Sequence, residues 1–379
     1  MAQTDATLVG ESSLELAREV LIHGPISRGE LGRRLGLSPA SLTRLSKPFL
    51  DRGLFIEGPE MHAGTVGRPT RPLDVRVDAR RFVGVKITGT DVLGVSTDLR
   101  ATEHSEASRR LENPSPEHVV SRITEIVDEL GGAQAFAAIG VSIGGNVSGM
   151  RVVTRAPFLH WRDVDLAAAL EQAIGIPAIV ENDVVALTAA EHWFGSGRGL
   201  PNFAVLTIGA GVGYGLVIHD RVVVTPDTGL GLGGHFPLDP SGPLCLEGHR
   251  GCATAMLSIP SISAQVGVAL DRSVGYDEVL ELAAAGNPAA RAVVSSAGRA
   301  LGRMIAAIAN LAMLDTVVLS GEGLGLWAIA EPDIDAGIRT DRDPEATPLN
   351  VLRDESGFSA WARGAAAVAI QSTLARLRD

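Results

Sequence analysis

Cysteine is almost missing from this sequence. Its 379 residues include two, Cys245 and Cys252. That excludes a disulfide scaffold and suits a reducing cytoplasm. Aromatic residues are also scarce, at 4%, and charged residues make up 20%. Hydrophobic residues still reach 45%, with 44 glycines, so the chain is globular and not disordered. A net charge of −11 excludes general affinity for nucleic acid or anionic membranes, so any DNA-binding surface has to be a local patch. No long hydrophobic run is clean enough to span a membrane. The most apolar one, Met304–Leu319, is interrupted by Asn310 and Asp315 and preceded by Arg303, and reads as a buried helix feeding a buried strand. The N-terminus has early acids and no apolar h-region, so a secretory signal is not expected.

What is present is organised in two styles. Up to residue 78 the pattern predicts three helices and a β-ribbon. Leu14, Leu16, Ala17, Val20 and Leu21 form a helical stripe that ends at His23-Gly24-Pro25. Ser27 is placed to cap a second helix, with Glu30 completing a capping box, and Gly36 stops it. Ser38 caps a third helix that has Pro39 in its first turn and a kink expected at Pro48. Two short helices around a Gly-containing turn make a helix-turn-helix, and residues 54–78 supply a wing. Between Arg28 and Arg52 there are six basic residues and two acids, a local balance of +4. This predicts a DNA-binding face on the third helix, carried by Ser38, Ser41, Thr43, Arg44 and Lys47. The Arg44 guanidinium fork suits a guanine edge, whereas Lys47 and Ser41 suit phosphates. At the wing, Arg68, held extended by Pro69, suits a minor groove, and Arg71 is a second candidate. The alternative is a solvated three-helix module used for dimerisation.

From Arg81 the pattern becomes α/β and repeats. FVGVKITGTDVLGVSTDLR from Phe82 and FAVLTIGAGVGYGLVIHDR from Phe203 both read as strand, glycine turn, strand. A duplicated unit implies two similar lobes with a ligand cleft.

These residues resemble the ROK proteins (repressor, open reading frame, kinase). The matched stretches are IGVSIGGNVSG (139–149), IPAIVENDVVALTAAEHWFG (176–195), LTIGAGVGYGLVI (206–218), GHFPLDPSGPLCLEGHRGC (234–252) and VVLSGEGL (317–324). The resemblance implies an α/β, two-lobed actin-like/sugar-kinase (ribonuclease H-like) fold over residues 79–379, preceded by a winged helix-turn-helix domain over 1–78. The preceding module points to a ROK transcriptional regulator acting on operator DNA as a homodimer or homotetramer, without membrane association.

Departures from the family pattern refine this. Its first phosphate motif resembles Asp-Ile-Gly-Gly-Thr-Lys, but here Lys86, Thr88 and Asp91 replace the acid, a glycine and the lysine, leaving Gly89. An ammonium in place of the metal-associated carboxylate makes phosphoryl transfer and ATP dependence unexpected. Lys86 could instead pair with Asp183, the family's general-base position, here silent. Gly209, Gly211 and Gly213 keep the second phosphate loop, or simply shape a hairpin. Asn182, Asp183 and His235 are the implied effector contacts, whereas two sugar-binding glutamates of the family are Leu232 and Thr254. His235, Cys245, Glu247 and Cys252 carry the spacing of the family's structural zinc site. Glu247 stands where a cysteine is usual, and His249 is an alternative fourth ligand. A zinc-free loop with two thiols is the other reading. The expectation is a repressor sensing a carbohydrate-related effector, a sugar or a sugar phosphate. The rivals are an active hexose kinase and an orphan regulator without a small ligand.

Overall fold

The computed structural model describes residues 2–60 and 71–376, with side chains from residue 12 onward. Arg68 and the expected wing tip lie outside the described residues. Contacts divide the chain into two compact units. One holds Met1–Ile143, Ser148–Glu181 and Ala362–Asp379, and the other holds Gly144–Val147 and Asn182–Trp361.

The first unit begins with helices Ala2–His23, Arg28–Leu35 and Pro39–Asp51, then an antiparallel ribbon of Phe55–Glu57 with Leu73–Val75. The caps are local and appear where the sequence places them. Ser27 accepts from the Glu30 N–H, Ser38 accepts from the Ser41 N–H, and Gly36 ends the second helix at φ 64°. One detail differs from expectation. The Glu30 carboxylate turns to Arg33 and Arg34 instead of closing a reciprocal capping box. The third helix runs on through Pro48 to Asp51, because a proline near a helix end forgoes a single backbone hydrogen bond. Leu16, Val20, Leu21, Leu31, Leu42 and Leu45 are buried as the module's core, each worth about 1.5–3 kcal/mol on full burial.

The same unit contains a five-stranded sheet in the order Ala178–Asn182, Ala138–Ile143, Phe82–Ile87, Asp91–Thr97, Glu103–Arg110. Gly84 and Gly140 are register partners on its two central strands. The C-terminal helix Ser359–Arg376 lies on this glycine pair, with its backbone at Ala362 and Ala365 where any Cβ would go. Only glycine permits that approach.

The second unit repeats the topology, with the order Arg221–Val222, Val212–Ile218, Phe203–Ile208, Thr316–Ser320, Asn350–Arg353. Both hairpin strands sit 121 residues after their counterparts (203 − 82 and 212 − 91), as the sequence repeat predicts. The turns are not equivalent. Residues 88–91 separate the pair Ile87↔Val92, but only 209–211 separate Ile208↔Val212. The slip of one residue moves the return strand's side chains to the other face relative to its partner. The apolar run at Met304 belongs to helix Pro288–Ala312, which feeds strand Thr316–Ser320. Leu301, Met304, Ile305 and Ile308 are buried in this unit's core, which explains an apolar helix of that length without a membrane.

Candidate functional site

The exposed face of the third helix carries Thr43, Arg44 and Lys47, with Ser38 exposed at its cap and Ser41 half-buried. Tertiary contacts sort these side chains in a way that charge counting cannot. Arg28 pairs with Glu57 at 2.6 Å, Arg34 with Glu30 at 2.9 Å and Glu19 at 3.3 Å, and Arg33 with Glu30. Lys47 pairs with Asp51 at 3.1 Å, and Arg71 with Glu60 at 3.3 Å. Thr43 bonds back to the Pro39 carbonyl, and the Ser38 and Ser41 hydroxyls bond each other at 3.0 Å. Arg44 projects from the same face with no partner among the described residues. The +4 balance already counts Glu30 and Asp51, so Glu19 and Glu57, arriving from outside the segment, halve it to +2, and Arg44 is the donor suited to a base edge. Exposed pairs such as Lys47–Asp51 are worth under about 1 kcal/mol, so a phosphate can displace the carboxylate.

In the first unit's sheet, Lys86 is buried, opposite Ser142 and Leu93. The turn after it is closed by its own side chain. Thr88 Oγ1 accepts from the Thr90 N–H at 3.2 Å and the Asp91 N–H at 2.9 Å, then donates to the Asp91 carbonyl at 3.0 Å. A turn that cradles phosphate needs free backbone donors, and here a hydroxyl already occupies two of them. The Asp91 carboxylate accepts from the Thr90 hydroxyl at the rim. A Cβ at Gly89 would meet ordinary contacts, so the turn no longer needs that glycine.

In the second unit, Gly213 leaves room for Val184 and Gly215 for Thr188, both on helix Asp183–Phe194. Gly211 faces open space, while a Cβ at Gly209 would collide with the Glu322 carboxylate. Gly209, Gly213 and Gly215 serve packing, and an acid stands over the loop where an anion would need donors. Glu322 was not singled out from the sequence; its signal is an acid inside the glycine turn Gly321-Glu322-Gly323. Asn182 caps the helix, its Oδ1 accepting from the Val184 and Val185 N–H groups while its amide donates to the Gly145 carbonyl. Asp183 Oδ1 accepts from the Val184 N–H at 2.9 Å. Much of the polar capacity expected to meet an effector is therefore already engaged. Thr254 donates to the Gly234 carbonyl at 2.8 Å, and Leu232 is exposed.

His235 joins a compact donor cluster. Its Nδ1 lies 3.8 Å from Cys245 Sγ, 3.7 Å from Cys252 Sγ and 3.1 Å from His249 Nδ1. Cys245 Sγ lies 3.6 Å from the same His249 nitrogen. Glu247 approaches the opposite side of the ring, 3.1 Å from His235 Nε2. Burial pushes the Cys245 thiol up, but donation from the Glu247 and His249 backbones, the His249 ring and Cys252 overrides it and brings the thiol down to about 6. Burial raises Cys252. The group offers soft and borderline donors at close separations, so His235, Cys245 and Cys252 could hold a metal ion.

A model of the ROK family matches residues 82–372. The chain belongs to the ROK family. It is 27% identical over 304 residues to the DNA-binding transcriptional repressor Mlc of Escherichia coli K12, covering 76% of this chain and 75% of that protein. A crystal structure of a ROK family transcriptional regulator, a homologue of E. coli Mlc, superposes with a TM-score of 0.82 at 24% identity, over 97% of this chain and 99% of that one. The likeness of fold therefore extends through the N-terminal helices. A ROK family glucokinase from Streptomyces griseus, solved with glucose and AMPPNP, superposes with a TM-score of 0.66 at 25% identity, over 76% of this chain and 98% of that chain.

Proposed function

We propose that this ROK protein is a DNA-binding transcriptional repressor whose ROK domain binds a carbohydrate-related effector without phosphorylating it. The carrying observation is the third helix, whose exposed face presents Arg44, without a partner among the described residues, beside displaceable Lys47. Residues 1–78 form the winged DNA-binding domain and 79–379 the effector domain. The protein acts in the cytoplasm as a homodimer or homotetramer, because paired recognition helices read a two-fold operator. The similarity to Mlc, itself a DNA-binding repressor, supports the same reading.

Catalytic silence follows from both loops. Thr88 consumes the first turn's donors, Lys86 replaces a metal-associated acid, and Glu322 places negative charge over the second loop. Phosphoryl transfer depends on a metal and free donors neutralising phosphate charge; the Lys86 ammonium disfavours the metal, Thr88 occupies donors, and Glu322 adds negative charge. The rival reading as an active hexose kinase draws on the likeness to a glucokinase and on the retained Asp183.

We read the metal as structural zinc, held by His235, Cys245 and Cys252 with His249 as the fourth ligand. Glu247 would orient His235 from outside the coordination shell, as carboxylates behind metal-bound histidines do. Bound zinc supplies cross-linking of the loop and no chemistry.

Selection of duplexes from a random DNA library, followed by fluorescence anisotropy across a salt series, tests the regulator reading. Specific binding that weakens with salt and with Arg44→Ala is expected. Failure to select any sequence, together with ATP-dependent phosphorylation of a hexose abolished by Asp183→Asn, would reverse the conclusion in favour of the kinase.

A further inference from the structure

The turn Asp98–Thr102 joins two strands of the first unit's sheet, and it is built rigidly. The buried Asp98 carboxylate accepts from the Arg100 N–H at 2.7 Å and the Thr102 N–H at 3.0 Å. From this base Arg100 reaches into the N-terminal module. Its Nη2 donates to the Gly24 carbonyl at 2.8 Å and the Asp74 carboxylate at 2.5 Å, and its Nε donates to the Leu21 carbonyl at 3.3 Å. Leu21 and Gly24 end the first helix, whose last carbonyls need outside donors. Asp74 belongs to the ribbon, and the Ile26 and Leu73 backbones bond each other between them. One guanidinium therefore grips the hub from which the second and third helices hang.

Beside it the Leu99 N–H donates to the Val77 carbonyl at 3.1 Å, and the remaining neighbouring contacts have a different character. Leu99 packs with Leu21, Phe55 and Val75, and with Ile370 and Leu374 of the C-terminal helix, around a small apolar cavity. Such packing holds the parts together but is non-directional. The planar fork of arginine, by contrast, fixes an angle.

We propose that Arg100 is a positioning residue for DNA binding, setting the angle at which the effector domain's sheet holds the N-terminal helices. The inference rests on the DNA-binding reading of that module for its purpose, but the lock itself can be measured without DNA. Nitroxides introduced through a ketone-bearing amino acid at positions 43 and 121 avoid the two native thiols. Their distance distribution, narrow in the otherwise unchanged protein, should broaden in Arg100→Ala. Arg100→Lys keeps the charge, but its ammonium is a rotatable point charge without the planar fork that fixes an angle, so it should broaden too while circular dichroism stays unchanged.

Duplexes selected by the unchanged protein supply the functional arm. Inserting one base pair between half-sites should cost that protein about tenfold in affinity and Arg100→Ala about twofold, with single half-site affinity equal for both. Folded Arg100 variants that keep the narrow distribution and the full spacing penalty would overturn the lock. If the unchanged protein selects no DNA, the regulator reading fails, and the distance measurement still decides the lock.

Discussion

Replacing single residues of the donor cluster separates two roles that proximity alone confuses. A tetrahedral zinc with bonds of about 2.05 Å to nitrogen and 2.3 Å to sulfur requires N···N edges of about 3.3 Å and N···S edges of about 3.6 Å. Four edges, from His235 Nδ1 to His249 Nδ1, Cys245 Sγ and Cys252 Sγ and from His249 Nδ1 to Cys245 Sγ, run from 3.1 to 3.8 Å. Glu247 touches Nε2, the His235 nitrogen facing away from the thiols. Structural zinc contributes about 10–16 kcal/mol, so one ligand in four is worth about 3 kcal/mol, two to three decades of affinity. An orienting carboxylate is worth about 10–100-fold. His249→Ala and Cys252→Ser should therefore weaken zinc about 100–1,000-fold in competition with a chromophoric chelator, and Glu247→Gln about 10–100-fold. X-ray absorption should report two sulfurs and two nitrogens. Near-complete loss of zinc in Glu247→Gln with little change in His249→Ala would refute the assignment and make Glu247 the ligand.

Arg44→Ala should lower specific DNA affinity by about 1–3 kcal/mol and relax the base preference at one position. Lys47→Ala should weaken all sequences alike and reduce the salt slope by about 1; anisotropy titrations read both. Gly84→Ala and Gly140→Ala should each lower the thermal midpoint, at about 1–3 kcal/mol of overpacking. Together they should cost less than the sum, because one retreat of the C-terminal helix relieves both. Ala366→Gly should not rescue Gly84→Ala, since a backbone carbonyl at Ala362 stands closest. In metal-free protein, alkylation of Cys245 should rise with a midpoint of about pH 6, while Cys252 stays unreactive at neutral pH. The Cys245 thiol falls from an ordinary 9.0 to about 6 on folding, so its ionised form stabilises the fold above the unfolded value, and that contribution is lost as pH falls through about 6.

Much of the fold was legible because its determinants are local. The Ser27 and Ser38 caps, the Gly36 stop and the two hairpins 121 residues apart each depend on residues a few positions away in the chain. A hydrogen bond from i to i+3 is written in consecutive letters. The repeat likewise needs only strand, glycine and strand in order.

What the tertiary structure decided are questions of pairing between segments distant in sequence. Which of six basic residues stays unpaired depends on Glu19 and Glu57 arriving from other elements, and Arg44 is left over because no acid among the described residues reaches it. Charge counting sums charges but cannot place them. The phosphate-like turns look alike as letters, yet Thr88 spends the donors of one and Glu322, more than a hundred residues away in the chain, sits over the other. Cys245, His249 and Cys252 were visible as a motif, but which face of His235 meets them was settled by how the loop folds. Arg100 carried no motif at all. Its role comes from three acceptors brought together by a helix end and a ribbon, a coincidence that exists only in three dimensions.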